Sequence, residues 1–198
     1  MDRTDIFFYA FVGLAIIIII RMYMKSDMAN LKCVISGLDG NKYCVRDRAK
    51  LGDAADLMAT VSAKCTSMVA YMKEKYPDDP RCIMLSKNYN PSRFVETLPT
   101  STLKAYSENK GEKVAFCLNK KNDNNNELID ISTLTFVALH ELSHLMTESI
   151  GHNQDFWNNF KFLLVNAKEA GIYEPIDYKK NPREYCSMKI TDNPYFDI

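Results

Sequence analysis

Residues 131–157 read ISTLTFVALHELSHLMTESIGHNQDFW and contain all three histidines of the 198-residue chain. Asp130 or Ser132 can cap a helix that starts here, because both side chains accept hydrogen bonds from the free N–H groups of a first turn. Residues four apart lie on the same face of an α-helix, so His140 and His144 can direct their imidazoles at one point. The spacing therefore predicts the first two ligands of a metal site.

A third ligand is expected where the chain returns after this helix. We predict that the helix runs to about Ile150, because Gly151 readily adopts the left-handed conformation that turns a chain back at a helix end. His152 follows directly and precedes a second predicted helix, residues 154–170, so we predict it as the third ligand. Glu148 lies about 12 Å beyond the first histidine along the helix axis and is too far away. Weaker candidates for the third ligand are Glu169, Glu174 and Asp177.

Imidazole groups in this arrangement suit a tetrahedral Zn²⁺ ion with Zn–N distances of about 2.0–2.1 Å. Glu141 follows the first ligand and can reach a water on the metal without binding the metal itself, so it can accept the proton of that water. Tyr178 and Tyr185 are candidates for stabilising an oxyanion, because the tail after the second helix can fold back over the metal. Each tyrosine also suits ordinary packing. The residues thus predict Zn²⁺ as cofactor and hydrolysis as chemistry.

HELSH followed by GHNQDFW resembles the WLM and SprT-like zincin metallopeptidases, in which HExxH is followed by a short spacer, a third histidine and an aromatic residue. The resemblance implies that the three histidines are metal ligands and that Glu141 is the general base. From about Leu31 onward the chain also resembles uncharacterised WLM-like metallopeptidases of large DNA viruses, which implies a viral membrane or virion protein. The spacer before His152 is two residues longer than the usual WLM spacing, and Thr147 replaces the metzincin glycine.

The N-terminal run Ile6–Ile20, IFFYAFVGLAIIIII, holds fifteen residues without a charge. As a helix it spans about 22 Å, short of the roughly 30 Å hydrocarbon core of a bilayer. If Arg21 snorkels, residues 6–24 come close to a full span. We therefore expect an uncleaved membrane anchor in residues 1–26, with a buried core helix and a cleaved signal peptide as the alternatives.

Basic residues near this run favour one orientation. Arg21, Lys25 and Lys32 follow it and only Arg3 precedes it, so the positive-inside rule predicts a single-pass membrane protein whose catalytic domain lies on the cytosolic side or in the virion interior. A cytosolic domain keeps its cysteines as thiols, which we expect for all six, whereas an oxidising compartment would allow up to three disulfides.

Composition narrows the function classes. With 25 basic and 25 acidic residues the chain gives no strong nucleic-acid signal, and only a local stripe at Lys179, Lys180 and Arg183 leaves DNA binding as the weakest hypothesis. Turn and periodicity signals predict strands in residues 31–45, a long helix over 53–76 and a β-hairpin in residues 103–118. The polar run at residues 120–127 reads as a loop.

The predicted fold is therefore α+β: an N-terminal transmembrane helix, then a small zincin-like domain in residues 27–198 with a short antiparallel sheet and an HExxH active-site helix. The predicted function is a membrane-anchored zinc peptidase that acts on a protein or peptide substrate. The alternative is a structural viral or membrane protein in which the zinc site is not catalytic, since zinc can also stabilise a fold.

Overall fold

A computed structural model describes residues 3–24, 31–99, 101–120 and 127–197, so most of the predicted polar loop at 120–127 lies outside the described residues. Helices and strands alternate along the chain, which makes the architecture a mixture of α and β structure. In chain order the elements are α1 (Arg3–Met24), β1 (Leu31–Ile35), β2 (Lys42–Arg46), α2 (Leu51–Lys75), α3 (Pro80–Asn88), β3 (Phe94–Glu96), β4 (Ala105–Glu108), β5 (Lys113–Phe116), α4 (Ile131–Leu145), α5 (Gln154–Glu169), β6 (Arg183–Tyr185) and β7 (Met188–Ile190), with short 3₁₀ turns at Pro91–Arg93 and Pro194–Phe196.

The N-terminal part of the fold prediction is wrong. Among the described residues, no helix has the length and apolar character that crossing a membrane requires. The uncharged run covers only residues 6–20, and the predicted span reached a full bilayer only by taking Arg21 into the helix. The predictions of a transmembrane helix and of a single-pass membrane protein are therefore wrong for the described residues.

The sheet is mixed, whereas the sequence predicted an antiparallel one. Its strand order is β1-β2-β3-β5-β4. The outer pairs β1–β2 and β4–β5 are antiparallel, and the second of them is the hairpin predicted in residues 103–118, but β3 pairs in parallel with both β2 and β5. Strand β3 has three residues and follows Pro91, so it is too short to show a periodic pattern. The two parallel pairs were missed because the strand between them was missed.

The cysteine prediction also needs correction, because two disulfides join four of the six cysteines. Cys33 faces Cys44 across the β1–β2 ladder and is bonded to it. Cys117, just after β5, is bonded to Cys186 in the turn between β6 and β7. Cys65 and Cys82 are free and buried. The sequence separations gave no sign of these pairs because the fold, and not a local motif, brings them together.

Helix α4 lies against α2 on one side and α5 on another, with strand β4 nearby. Its predicted packing residues Leu139, Leu142 and Met146 are each 1% exposed, so they anchor the helix in the core. Ile150, predicted to join them, is 94% exposed because the helix ends at Leu145. The helix is therefore fixed by one side while its two histidines remain half-buried on the other.

A buried ionic network connects the middle of the sheet to its surroundings. The side chains of Arg48 and Glu96 are both fully buried and form an ion pair. Glu96 also accepts a hydrogen bond from the Arg46 backbone at 2.7 Å, and Arg48 donates to the Asn119 side-chain oxygen at 2.7 Å. Buried charges are costly unless they are paired, so this network specifies how the strands pack.

We expect Arg48→Met to lower the free energy of unfolding by about 3 kcal/mol, because the change leaves the buried Glu96 carboxylate with less compensation. This loss of unfolding free energy lies at the low end of the range for a broken buried ion pair, because the Arg46 side chain still lies 3.5 Å from Glu96. Lys32→Met is the matched control: Lys32 pairs with Asp47 at 2.7 Å, but both side chains are exposed, so a loss below about 1 kcal/mol is expected. Urea unfolding of both variants measures the difference, and equal losses would contradict the assignment.

Candidate metal centre

The ends of helix α4 are set by local hydrogen bonds. Of the two predicted capping residues, Asp130 caps the helix. Its carboxylate accepts a hydrogen bond from the Thr133 backbone N–H at 2.9 Å and another from the Thr133 hydroxyl at 2.8 Å. The helix ends at Leu145 and not near Ile150, and beyond it the Thr147 hydroxyl donates to the Ser143 carbonyl at 2.6 Å. This early end leaves seven residues to bring the chain back between the second and third histidines.

Chain reversal occurs as the sequence predicted, through Gly151 in the left-handed conformation with φ 89°. Helix α5 then begins at Gln154, and Asn153 caps it by accepting a hydrogen bond from the Phe156 backbone at 3.1 Å. His152 is thus held between a reversing glycine and a helix cap. The Asn153 cap was missed from sequence, although an asparagine one residue before the helix was the available signal.

The three histidines come together in the structure. His140, His144 and His152 each offer a ring nitrogen, and these nitrogens all lie within 4.8 Å of one another. The Nε2 atoms of His140 and His152 are 3.0 Å apart. Two nitrogens on a tetrahedral Zn²⁺ ion would be about 3.3 Å apart, so the spacing suits this ion. Within the described part of the chain, no other group of histidine, cysteine and acidic side chains has this geometry.

The weaker candidates for the third ligand have other partners. Glu169 pairs with Lys75 at 2.5 Å, Glu174 with Lys168 at 3.5 Å, and Asp177 with Lys180 at 3.0 Å. Each of the three carboxylates is therefore paired with a lysine and not with the histidine cluster.

Phe156 packs against all three imidazoles and was predicted only as a core residue. Its ring centroid lies 4.8 Å from that of His140, 4.3 Å from that of His144 and 4.6 Å from that of His152. The side chain is fully buried. It therefore forms an apolar floor that restricts the orientation of each ring.

Burial keeps two of the imidazoles neutral. It lowers the pKa of His140 to about 3, with the neighbouring His144 and His152 adding to the effect. It also lowers the pKa of His144 to about 4, with contributions from His152 and Lys110. Neutral imidazoles have a free lone pair, which is the form that binds a metal.

Glu141 is 2% exposed and follows His140 on the helix. Its Oε2 atom has no hydrogen-bond partner among the described residues. Burial raises the pKa of this carboxyl group to about 8. An unpartnered buried carboxyl oxygen beside three convergent imidazoles is the arrangement that a bound cation and its water would satisfy, so the donor set fits Zn²⁺.

A cavity of about 910 Å³ opens beside the histidines. Its walls come from α4, α5, the chain leading into β4 and the C-terminal segment, and it reaches His140, Glu141 and His152. Its apolar lining includes Leu103, Phe136, Val137, Trp157, Phe160, Met188 and Ile190. Sequence patterns gave no sign of this cavity, because its walls come from segments far apart in the chain.

The two predicted tyrosines occupy different places. Tyr185 lines the cavity together with Glu141, and its hydroxyl accepts from the Cys117 backbone N–H at 3.0 Å and donates to the Lys104 carbonyl at 3.2 Å. Tyr178 is fully buried against Phe136, and its hydroxyl lies 3.4 Å from that of Tyr173. The described residues that line the cavity include Tyr185 and do not include Tyr178.

Comparison with known proteins finds no family model that matches the sequence. The chain is 24% identical over 184 residues to the uncharacterized protein R325 of Acanthamoeba polyphaga mimivirus, which covers 91% of this chain and 92% of the viral protein. It is 32% identical over 83 residues to the uncharacterized protein 136R of Invertebrate iridescent virus 6, covering 42% of this chain and 45% of that protein. It is also 41% identical over 59 residues to the uncharacterized protein 042R of Invertebrate iridescent virus 3, covering 30% and 36%.

Among solved structures, a crystal structure of Wss1 from Saccharomyces cerevisiae aligns with a TM-score of 0.48 and 18% identity, covering 64% of this chain and 89% of that one. The sequence relatives are viral proteins, which supports the predicted viral origin.

In the metal-free protein, Glu141→Gln should raise the free energy of unfolding more at pH 8 than at pH 5. The folded-state pKa of about 8 lies above the ordinary value of 4.5, so the folded wild type holds a proton that the unfolded chain loses in this interval, and its stability falls as pH rises. Glutamine does not titrate, so the variant does not lose stability in this way as pH rises. We expect the advantage of the variant to grow by about 3–4 kcal/mol between the two pH values.

Urea unfolding of both proteins in the presence of a chelator measures this difference, and the histidines contribute equally to the two proteins. A difference that does not change with pH would contradict the assigned burial of the carboxyl group.

Proposed function

We propose that this chain is a zinc-dependent peptidase in which His140, His144 and His152 hold the metal and Glu141 is the general base. The observation that carries the proposal is the position of an unpartnered, buried Glu141 carboxyl oxygen one residue from the first of three convergent imidazoles, at the wall of an open cavity. A zinc site that only stabilises a fold has no use for this carboxyl group.

Zinc held by the three imidazoles would supply Lewis acidity, which lowers the pKa of water and polarises a peptide carbonyl. The protein provides the other elements of the reaction. Glu141 accepts a proton from the attacking water and returns it to the amine that leaves. With a divalent cation bound nearby, Glu141 would be held in its charged form, the form that acts as a base, and its carboxyl pKa would lie below the metal-free value of about 8.

Tyr185 is the tyrosine that we propose as oxyanion stabiliser. It lines the cavity on the side of the C-terminal segment, while Glu141 lines it from α4. Its hydroxyl proton now points at the Lys104 carbonyl, 3.2 Å away, so it must change partner to donate to an oxyanion. The large cavity and its apolar lining support a protein or peptide substrate over a small polar one.

The main test combines metal content with cleavage. The purified full chain should bind one zinc ion per molecule and cleave peptides from a mixed-sequence library. Glu141→Gln should keep the zinc and lose cleavage by about 10²–10⁴-fold, because the general base is gone while the ligands remain. His140→Ala should lose both. Zinc content is measured by mass spectrometry of the metal and cleavage by identification of new peptide termini.

Glu148→Gln is the matched control, since Glu148 is exposed on the loop after α4 and should leave cleavage unchanged. Zinc binding by the wild type and by both glutamate variants, with no cleavage by any of them, would favour the alternative, a structural protein with a non-catalytic zinc site. Equal cleavage by the wild type and Glu141→Gln would overturn the mechanism.

Tyr185→Phe should lower kcat about 10²-fold or more with little change in KM, because an oxyanion donor acts mainly in the transition state. Tyr178→Phe is its control: it removes a hydroxyl from an equally buried tyrosine outside the cavity lining. Steady-state kinetics on one fluorogenic peptide compares the two. Equal losses in kcat would show that the effect comes from the fold and not from the oxyanion.

A further inference from the structure

The segment that carries His152 back to the other histidines has little packing of its own. Ile150 is 94% exposed, and Glu148, Gly151 and His152 are exposed as well. Apolar burial therefore does not fix the tip of this loop, although a metal ligand needs a fixed place. Hydrogen bonds from neighbouring elements must hold it.

Lys110, in the turn between β4 and β5, makes such hydrogen bonds. Its ammonium group donates to the Thr147 carbonyl and, at 3.2 Å, to the Ser149 carbonyl. Both carbonyls follow the end of α4, where helix C-terminal carbonyls lack partners and the helix dipole favours a positive charge. The Lys110 side chain thus binds the loop between the second and third histidines at two backbone carbonyls.

The turn that carries Lys110 is itself held close to the helix end. Its three residues, Asn109, Lys110 and Gly111, have φ values of 44°, 56° and 100°. A Cβ atom on Gly111 would lie 2.4 Å from the Asn88 carbonyl oxygen, so only glycine permits this approach. Asn88 in turn donates to the Leu145 carbonyl at 2.9 Å, at the last residue of α4.

A third contact holds the near side of the same loop. The Asn159 side-chain amide, on α5, donates to the Thr147 hydroxyl at 2.9 Å, and this contact is buried. Thr147 is therefore bound on its side chain by α5 and on its carbonyl by Lys110. Ser149 is held at two points: Lys110 donates to its carbonyl, and the Asn153 side-chain amide donates to its hydroxyl at 2.7 Å.

We infer that Lys110 is a positioning residue for the metal centre, which fixes the path of residues 147–149 and thereby the place of His152. The inference rests on the proposed role of the three histidines as zinc ligands. Lys110 is assigned this role through the backbone of the loop and is assigned no contact with substrate; its positive charge, which also acts on His144, is kept in Lys110→Arg.

The test compares zinc affinity in full-length variants by competition with a coloured chelator. Lys110→Met keeps the aliphatic stem and removes the donors, and it should weaken zinc binding about 10- to 100-fold, as loss of outer support typically does. Lys110→Arg should recover most of the affinity, since its guanidinium group can also donate to two carbonyls. Lys42→Met is the control, because Lys42 is an exposed lysine at the start of β2.

Cobalt substitution gives a spectroscopic readout that general loss of stability does not imitate. Folded Lys110→Met should show a weaker or shifted tetrahedral cobalt absorption, whereas Lys110→Arg and Lys42→Met should match the wild type. If Lys110→Met does not fold, Lys110→Gln replaces it. Zinc affinity within twofold of the wild type in a folded Lys110 variant without the charge would overturn the inference.

A measurement without metal separates this inference from the proposed function. Amide hydrogen exchange in the metal-free protein should become at least about tenfold faster at residues 148–152 in Lys110→Met and stay unchanged in Lys42→Met. If the wild type binds no zinc, the proposed function fails, while faster exchange still supports the hold on the loop. Unchanged exchange overturns the positioning role whatever the zinc result.

Discussion

Three imidazoles can meet at one point here because helix α4 ends one residue after its second histidine. A helix continued through His152 would carry that residue about 12 Å from His144 along the axis, since each residue adds 1.5 Å. The chain instead reverses through Gly151 and enters α5 at the Asn153 cap. The apolar floor beneath the rings and the cavity between α4 and α5 both depend on this reversal.

Burial has opposite effects on the two kinds of group in the site, because it disfavours every charged form. It makes the imidazoles of His140 and His144 neutral and the carboxyl of Glu141 protonated at pH 7. The ring lone pairs and the buried carboxyl group are thus uncharged in the metal-free protein. Under the proposed function, a bound cation would favour loss of the Glu141 proton.

The sequence allowed correct prediction of those features that depend on residues close together in the chain. The Asp130 cap, the four-residue spacing of His140 and His144 and the Gly151 reversal follow from rules that act within a few residues. The missed features are set by distant segments: strand β3, the two disulfides, the cavity and the hold of Lys110 on the loop. The helix end was also misplaced: besides the local Thr147–Ser143 hydrogen bond, the carbonyl of Leu145 accepts from Asn88 and the carbonyl of Thr147, just beyond the helix, accepts from Lys110. The membrane anchor was wrong because hydrophobicity was read from fifteen residues whose length falls short of a bilayer.

The Cys117–Cys186 disulfide joins residues 69 apart in sequence, and α4 and α5 both lie between them. The three histidines and Glu141 are therefore enclosed in one covalent ring. A single backbone cut inside this ring, by any protease, would leave both pieces attached through the two sulfur atoms. Such a nicked molecule would migrate as one band on a gel without reductant and as two bands after reduction, so a cut near the histidines is visible only when the bond is broken.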